Sequence, residues 1–198
     1  MDIDLKTCLG LIAVAMTIAA HIPYFLTTLK HTNRPHIFTW IIWTVLTFIA
    51  FAAQIAGGAG SGAWVTGMTG IMCVAITAAA LRQGERSITR GDWIMFIGGL
   101  SAIPLWIATN DPLWSVLIVV GIDCSAFWPT FRKSWNKPHE ENSFMYGFNL
   151  PRHVIALCAL QEYSLVTTLY PAALLCMNVI MYVMLKIRRR QNEEMARV

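Results

Sequence analysis

Polar residues gather in short bursts along this chain, and between the bursts run long apolar stretches. The stretches lie near 8–28, 37–55, 63–81, 92–109, 112–131, 143–160 and 165–186. Each is close to the roughly 20 apolar residues that a helix needs to cross a hydrocarbon core. The pattern predicts an all-α chain of seven spans, with connections too short to hold a separate water-soluble domain. "AGGAGSGA" at 56–63 predicts a turn. Its small residues, with Gly67 and Gly70, suit close helix packing. No strand precedes this stretch and no P-loop lysine follows, so it is not a phosphate cradle.

Composition turns the helices into membrane spans. The chain has 198 residues, 56% hydrophobic and 13% charged, with a mean hydropathy of +0.54. So few charges cannot cover the exterior of a soluble domain of this size. An integral membrane protein is expected. The start, "MDIDLK", is acidic and makes a poor signal peptide, so the first run reads as a retained span. Cys8, Cys73, Cys124, Cys158 and Cys176 all fall in apolar runs with no CxxC pair. They read as packing residues, and neither a metal site nor a cofactor is expected.

Charge orients the spans. Thirteen of the fifteen Lys and Arg residues fall on one side of the predicted topology: Lys30 and Arg34; Arg82, Arg86 and Arg90; Arg132, Lys133 and Lys137; and five from Lys186 onward. Lys6 is opposite and Arg152 lies inside a span. The positive-inside rule then places the N-terminus outside and the C-terminus in the cytoplasm, which requires an odd number of spans. The basic tail reads as a topology anchor touching anionic lipid, with no nucleic-acid partner expected. Compact loops and the lack of an N-x-[ST] sequon fit a bacterial inner membrane better than a eukaryotic one.

Two segments echo one another. "NRPH" at 33–36 and "NKPH" at 136–139 are offset by 103, which also aligns Thr27 with Thr130 and Lys30 with Lys133; Pro23 and Pro129 are offset by 106. Both segments leave an outside-to-inside span and cross a basic loop. Spans one to three and five to seven therefore read as parallel three-helix repeats joined by a linker helix, a 3+1+3 plan. The corresponding units are 1–89, 90–110 and 111–198.

This plan, with "PTFRKSW" from Pro129 and the partial copy "PYF" from Pro23, resembles the SWEET and PQ-loop (MtN3-like) transporter superfamily. The resemblance implies alternating access between two three-helix units, with helices bending at prolines, here Pro23, Pro129 and Pro151. It also implies a solute-binding asparagine in the third span of each repeat. Asn178 fits in span seven, while the counterpart region around Met72 and Cys73 has no amide, and span two has no proline. These departures point away from a glucose-like sugar.

Polar groups inside spans mark the candidate site, because Arg or Asp at mid-bilayer costs about 2.5–3.5 kcal/mol on the insertion scale. Asp123 lies in span five, and "GFNLPRHVIA" in span six carries Asn149, Arg152 and His153. Asp123 and Arg152 at similar depth read either as a neutralising pair or as a site. In the second reading Arg152 takes an anionic group of the solute, and Asp123 or His153 carries a coupling proton. Asn178, Asn149 and Trp43 complete the expected binding set. Trp40 and Trp43, three apart, share a face of span two. His21 reads as a hydrogen-bonded core histidine using a carbonyl freed by Pro23, and Pro151 as exposing a carbonyl beside Arg152. Trp64, Trp114, Trp93 and Trp135 fall at span ends as interfacial anchors.

The function that follows is a transporter or facilitator of a small polar solute: an amino acid, a vitamin or nucleoside, or a sugar. The alternative is a non-transporting receptor that binds cargo on the same scaffold. Partners are the solute and the lipid bilayer, with homo-oligomerisation left open. A retinal photoreceptor is excluded, because 165–185 holds no lysine for a Schiff base. An enzyme is not expected: there is no HExxH and no GxSxG, and "HEEN" at 139–142 reads as a solvated loop.

Overall fold

In an apolar medium each backbone N–H and C=O must be bonded within its own segment, so long apolar runs close into helices. In the computed structural model every predicted run is helical. The structure describes residues 4–30, 37–83, 88, 90–136, 138–140 and 143–195, without the side chains at 83, 92, 126, 128–130, 132, 133, 140, 145 and 195. Among them are α1 (Leu5–Leu29), α2 (Ile37–Ala56), α3 (Trp64–Gln83), α4 (Arg90–Leu100), α5 (Ala102–Thr109), α6 (Pro112–Asn136), α7 (Ser143–Cys158) and α8 (Leu165–Met195). The segment 33–36, Lys137 and the side chains of Trp128, Pro129, Thr130 and Lys133 lie outside the described residues, so the two echoing motifs are not compared in space.

Among the described residues four helices are long and apolar enough to cross a membrane: α1, α2, α3 with its preceding turn, and α8. The apolar parts of the others are shorter. With 16 residues, α7 spans only about 24 Å at 1.5 Å per residue, and it carries Asn149, Arg152 and His153. The run expected over 92–109 breaks at Ser101. There the Ser101 hydroxyl donates to the Gly98 carbonyl at 2.6 Å, and its N–H is shared between Ile97 and Gly98. Pro104 has no N–H for the Leu100 carbonyl, so the ladder lacks one bond at this joint, although the Leu105 N–H still reaches Ser101 O at 3.3 Å. At the other extreme, α8 runs past the apolar stretch into its basic tail.

Packing follows one scheme twice. Helix α3 packs on both α1 and α2, and α8 packs on both α6 and α7. Between the triplets α1 meets α7, while α2 meets α6 and α8; α4 and α5 lie against the α2–α6 side. That seam is filled. Phe38, Ile42, Leu46, Ile49 and Ala53 form one stripe of α2 at helical spacing, buried with Ala102, Val116 and Val119. The α2–α3 contact is close because Gly67 and Gly70 sit under the rings of Phe51 and Phe48. The paired rings of Phe144 and Phe148 on α7 are flanked by a crevice of about 370 Å³ toward α1 and one of about 520 Å³ toward α8.

The ends of the bundle differ. At the Lys6 end, α2 terminates with Gly58 and Gly60 in the left-handed region, at φ of 78° and 58°. The Ala59 and Gly58 N–H groups return to the carbonyls of Gln54 and Ile55, the pattern of a Schellman cap. This turn is bolted across the bundle. The Ser61 hydroxyl lies 2.9 Å from the Lys6 carbonyl and 3.0 Å from that of Ala159, and the Gln161 N–H donates to Ala59 O. Lys6 Nζ donates to Gln161 O, and Gln54 Nε2 to Thr167 O. Asp4 caps α1 by accepting from the Thr7 N–H at 2.6 Å, which holds its carboxyl below the usual range. At the far end the tail of α8 clamps the α6–α7 connection. Arg188 donates to Trp135 O and stacks over that indole, and Arg189 donates to Pro138 O and to the Ser143 hydroxyl.

The Lys6 end tolerates no added bulk. A Cβ on Gly62 would stand 2.8 Å from the backbone N and Cα of Leu160. Gly62→Val is expected to destabilise the protein by about 1–3 kcal/mol, the usual cost of overpacking. A lowered unfolding midpoint in detergent checks this; an unchanged midpoint would show that the two segments are not in contact.

Candidate functional site

Between the two triplets lies a partly open cavity of about 180 Å³. Helices α1–α3 supply His21, Trp40, Trp43, Thr47, Thr69 and Cys73 to its wall. From α6–α8 come Asp123, Phe127, Tyr146, Asn149, Arg152, His153, Tyr170, Leu174 and Asn178. The cavity extends from Thr69 and Tyr170, less than two turns into α3 and α8, to Trp40 and Tyr146 near the starts of α2 and α7. It thus runs lengthwise beneath the bonded Lys6 end.

Helix α7 supplies most of the polarity. Asn149, Arg152 and His153 are spaced i, i+3 and i+4, which puts them on one face, and all three are buried. Arginine carries only donors. His153 Nε2 must therefore accept the 3.1 Å bond from Arg152 Nη2, which leaves the ring proton on Nδ1. The other two guanidinium nitrogens, Nε and Nη1, have no partner among the described residues although Arg152 is only 5% exposed. The Asn149 amide donates to Asn178 Oδ1 at 3.1 Å, and the Asn178 amide donates to Leu174 O at 2.7 Å. Those two bonds orient both side chains and leave Asn149 Oδ1 without a donor.

No ion pair joins Asp123 to Arg152, which corrects the expectation of a neutralising pair. Arg152 is held by His153, and the Asp123 carboxylate has the Tyr170 phenol within electrostatic reach. Both charges line the same cavity, with Cys73 within reach of each. His21 bonds through Nδ1 to the Thr17 carbonyl at 2.8 Å, one turn back, and not to the carbonyl freed by Pro23.

Every residue expected to bind solute or proton, namely Asn178, Arg152, Asn149, Trp43, Asp123 and His153, lines this one cavity. Trp43, 36% exposed, packs edge-on against the buried Trp40 at 5.2 Å. The prolines stand elsewhere. Pro23 and Pro151 line the crevices beside Phe144 and Phe148, and the side chain of Pro129 is outside the described residues. The carbonyl that Pro151 leaves unpaired is that of Gly147, a turn back along the helix and not beside Arg152, because proline removes the bond to residue i−4.

Sequence reasoning missed Thr47, Thr69, Cys73, Phe127, Tyr146 and Tyr170 as wall residues. For Cys73 a signal existed, since the repeat aligns its neighbourhood with that of Asn178. For the others, hydroxyl and aromatic residues in apolar helices do not announce which face they occupy. Among the described residues no cluster of His, Cys, Asp or Glu is arranged to hold a metal ion.

The amide pair is testable by a mutant cycle. Asn178→Leu alone is expected to cost about 1–3 kcal/mol, because it leaves the buried Asn149 amide unpaired. Adding Asn149→Leu is expected to recover part of that loss in the unfolding midpoint. Strictly additive losses would show that the two amides do not interact.

No protein-family model, curated protein or solved structure matches the chain.

Proposed function

We propose that the protein is a membrane transporter that moves a small polar solute by alternating access, on the 3+1+3 plan of the SWEET and PQ-loop transporters. The observation that carries this reading is the cavity. It is walled by both triplets, holds an acidic and a basic side chain that form no ion pair with each other, and lies beneath an end bonded shut. A buried polar site between two similarly packed units is what a midplane solute site requires. In this reading α1–α3 and α6–α8 are the two repeats, α4–α5 the linker, the Lys6 end the outer side and the α8 tail cytoplasmic.

Repeated packing supports two moving units. The third helix of each triplet sits between the other two, and the α8 tail fastens the connection within the second triplet. Motion then falls between triplets, where Pro23 borders a crevice between α1 and α7. The Arg152–His153 bond supplies a coupling step. A proton on His153 Nε2 displaces the Arg152 donor and frees it for the solute, so proton and anionic group bind in concert. Asp123 is the second proton-carrying group of the same wall.

Proteoliposome uptake tests the site. Asp123→Asn and Arg152→Ala are each expected to abolish pH-gradient-driven uptake while the protein still inserts and folds. Normal transport by both variants would remove the cavity from the path. Saturable binding without flux in the wild type would favour the receptor reading on the same scaffold. Pro129→Ala has its own expected outcome: slower exchange with solute affinity little changed. Weakened affinity at an unchanged exchange rate would count against a hinge at that position.

A further inference from the structure

We infer that the solute of this cavity is a small monocarboxylate that also carries a hydrogen-bond donor next to its carboxyl group, the chemistry shared by α-hydroxy and α-amino acids. The inference rests on the cavity being the solute site and names what fits it.

The argument starts from unsatisfied atoms. Arg152 is almost fully buried and, among the described residues, has no carboxylate partner and leaves Nε and Nη1 unbonded. A buried guanidinium in this condition is strongly destabilised until an anion meets it. Three residues earlier on the same helix face, Asn149 Oδ1 is a buried acceptor with no donor. Side chains at this spacing stand roughly 5–6 Å apart at Cβ. One compact ligand with its anion and its donor on adjacent carbons satisfies both.

Charge and size narrow the class. Asp123 shares the cavity, so a phosphate dianion would face a carboxylate as well as a single arginine. A neutral sugar would leave the guanidinium without its counter-charge. About 180 Å³ admits a small acid with a modest side chain, and Trp40 and Tyr146 offer that side chain apolar walls. Asp123 adds a second acceptor, which favours an ammonium over a hydroxyl as the donor.

The test uses the full chain in lipid nanodiscs, read by thermal stabilisation with L-lactate, L-alanine, propionate and glucose as probes. Lactate or alanine is expected to stabilise saturably, propionate at least about tenfold more weakly for want of the donor, and glucose not at all; 1.4 kcal/mol corresponds to that tenfold. Alanine binding better than lactate identifies the amino acid class; the reverse identifies the hydroxy acid class. Arg152→Gln is expected to weaken binding about thirtyfold or more, while its ligand-free unfolding midpoint holds or rises, because an unpaired buried charge is gone. Arg152→Lys, which keeps the charge, is expected to retain part of the affinity. Glucose binding without carboxylate binding overturns the inference, as does Arg152→Gln with intact affinity and a lowered midpoint. Flux separates this result from the transport reading. Carboxylate binding without flux removes transport and keeps the ligand class, whereas sugar flux without carboxylate binding does the opposite.

Discussion

An arginine held inside an apolar helix bundle without a counter-charge is the constraint around which this molecule is arranged. Arg152 sits in α7, the shortest of the helices that wall the cavity, and no single neighbour neutralises it. Its environment is instead distributed: an imidazole nitrogen, two oriented amides, a cavity wide enough to admit a ligand, and a carboxylate on the same wall that does not close onto it. Replacing this set with packed apolar side chains would be energetically easier, so its presence argues for use rather than for stability.

The rest of the fold keeps that site accessible without letting the bundle fall open. Apolar packing is concentrated on the α2–α6 seam, where the stripe from Phe38 to Ala53 meets Val116 and Val119. The opposite seam, between α1 and α7, holds a crevice bordered by Pro23, while the crevice bordered by Pro151 lies between α7 and α8. Hydrogen bonds do the closing at the Lys6 end, through Ser61, Gln161 and Gln54. One acceptor there, Gln54 Oε1, is buried without a donor. These bonds act together with a small buried apolar cluster of Ala59, Ala63 and Leu160 at the same end.

Much of the candidate site was legible from position alone. Asp123, Asn149, Arg152, His153 and Asn178 stand out because an apolar span makes each of them expensive, and all five reach one cavity. What they do to one another was not legible. Similar depth suggested that Asp123 and Arg152 meet, but depth along a helix leaves rotation about the helix axis undetermined. The same ambiguity hid Tyr170, Thr47 and Cys73, whose neighbours on the chain are as apolar as those of any lipid-facing residue. Proline showed the reverse error: Pro151 was legible as a break, while the carbonyl it frees lies a turn away, at Gly147.

The sequence by itself determined the all-helical class, the place of the apolar runs, the turn at 56–63 and the residues too polar to face lipid. Each of these follows from the cost of bringing backbone or charge into hydrocarbon, a cost counted residue by residue. Only the tertiary structure decided which helices touch, that the fourth run breaks at Ser101, and that Arg152 pairs with His153 and not with Asp123. The first of these depends on competing contacts between segments far apart in the chain; the other two are local geometries, in which the rotation of a helix or side chain by a few tens of degrees exchanges one partner for another.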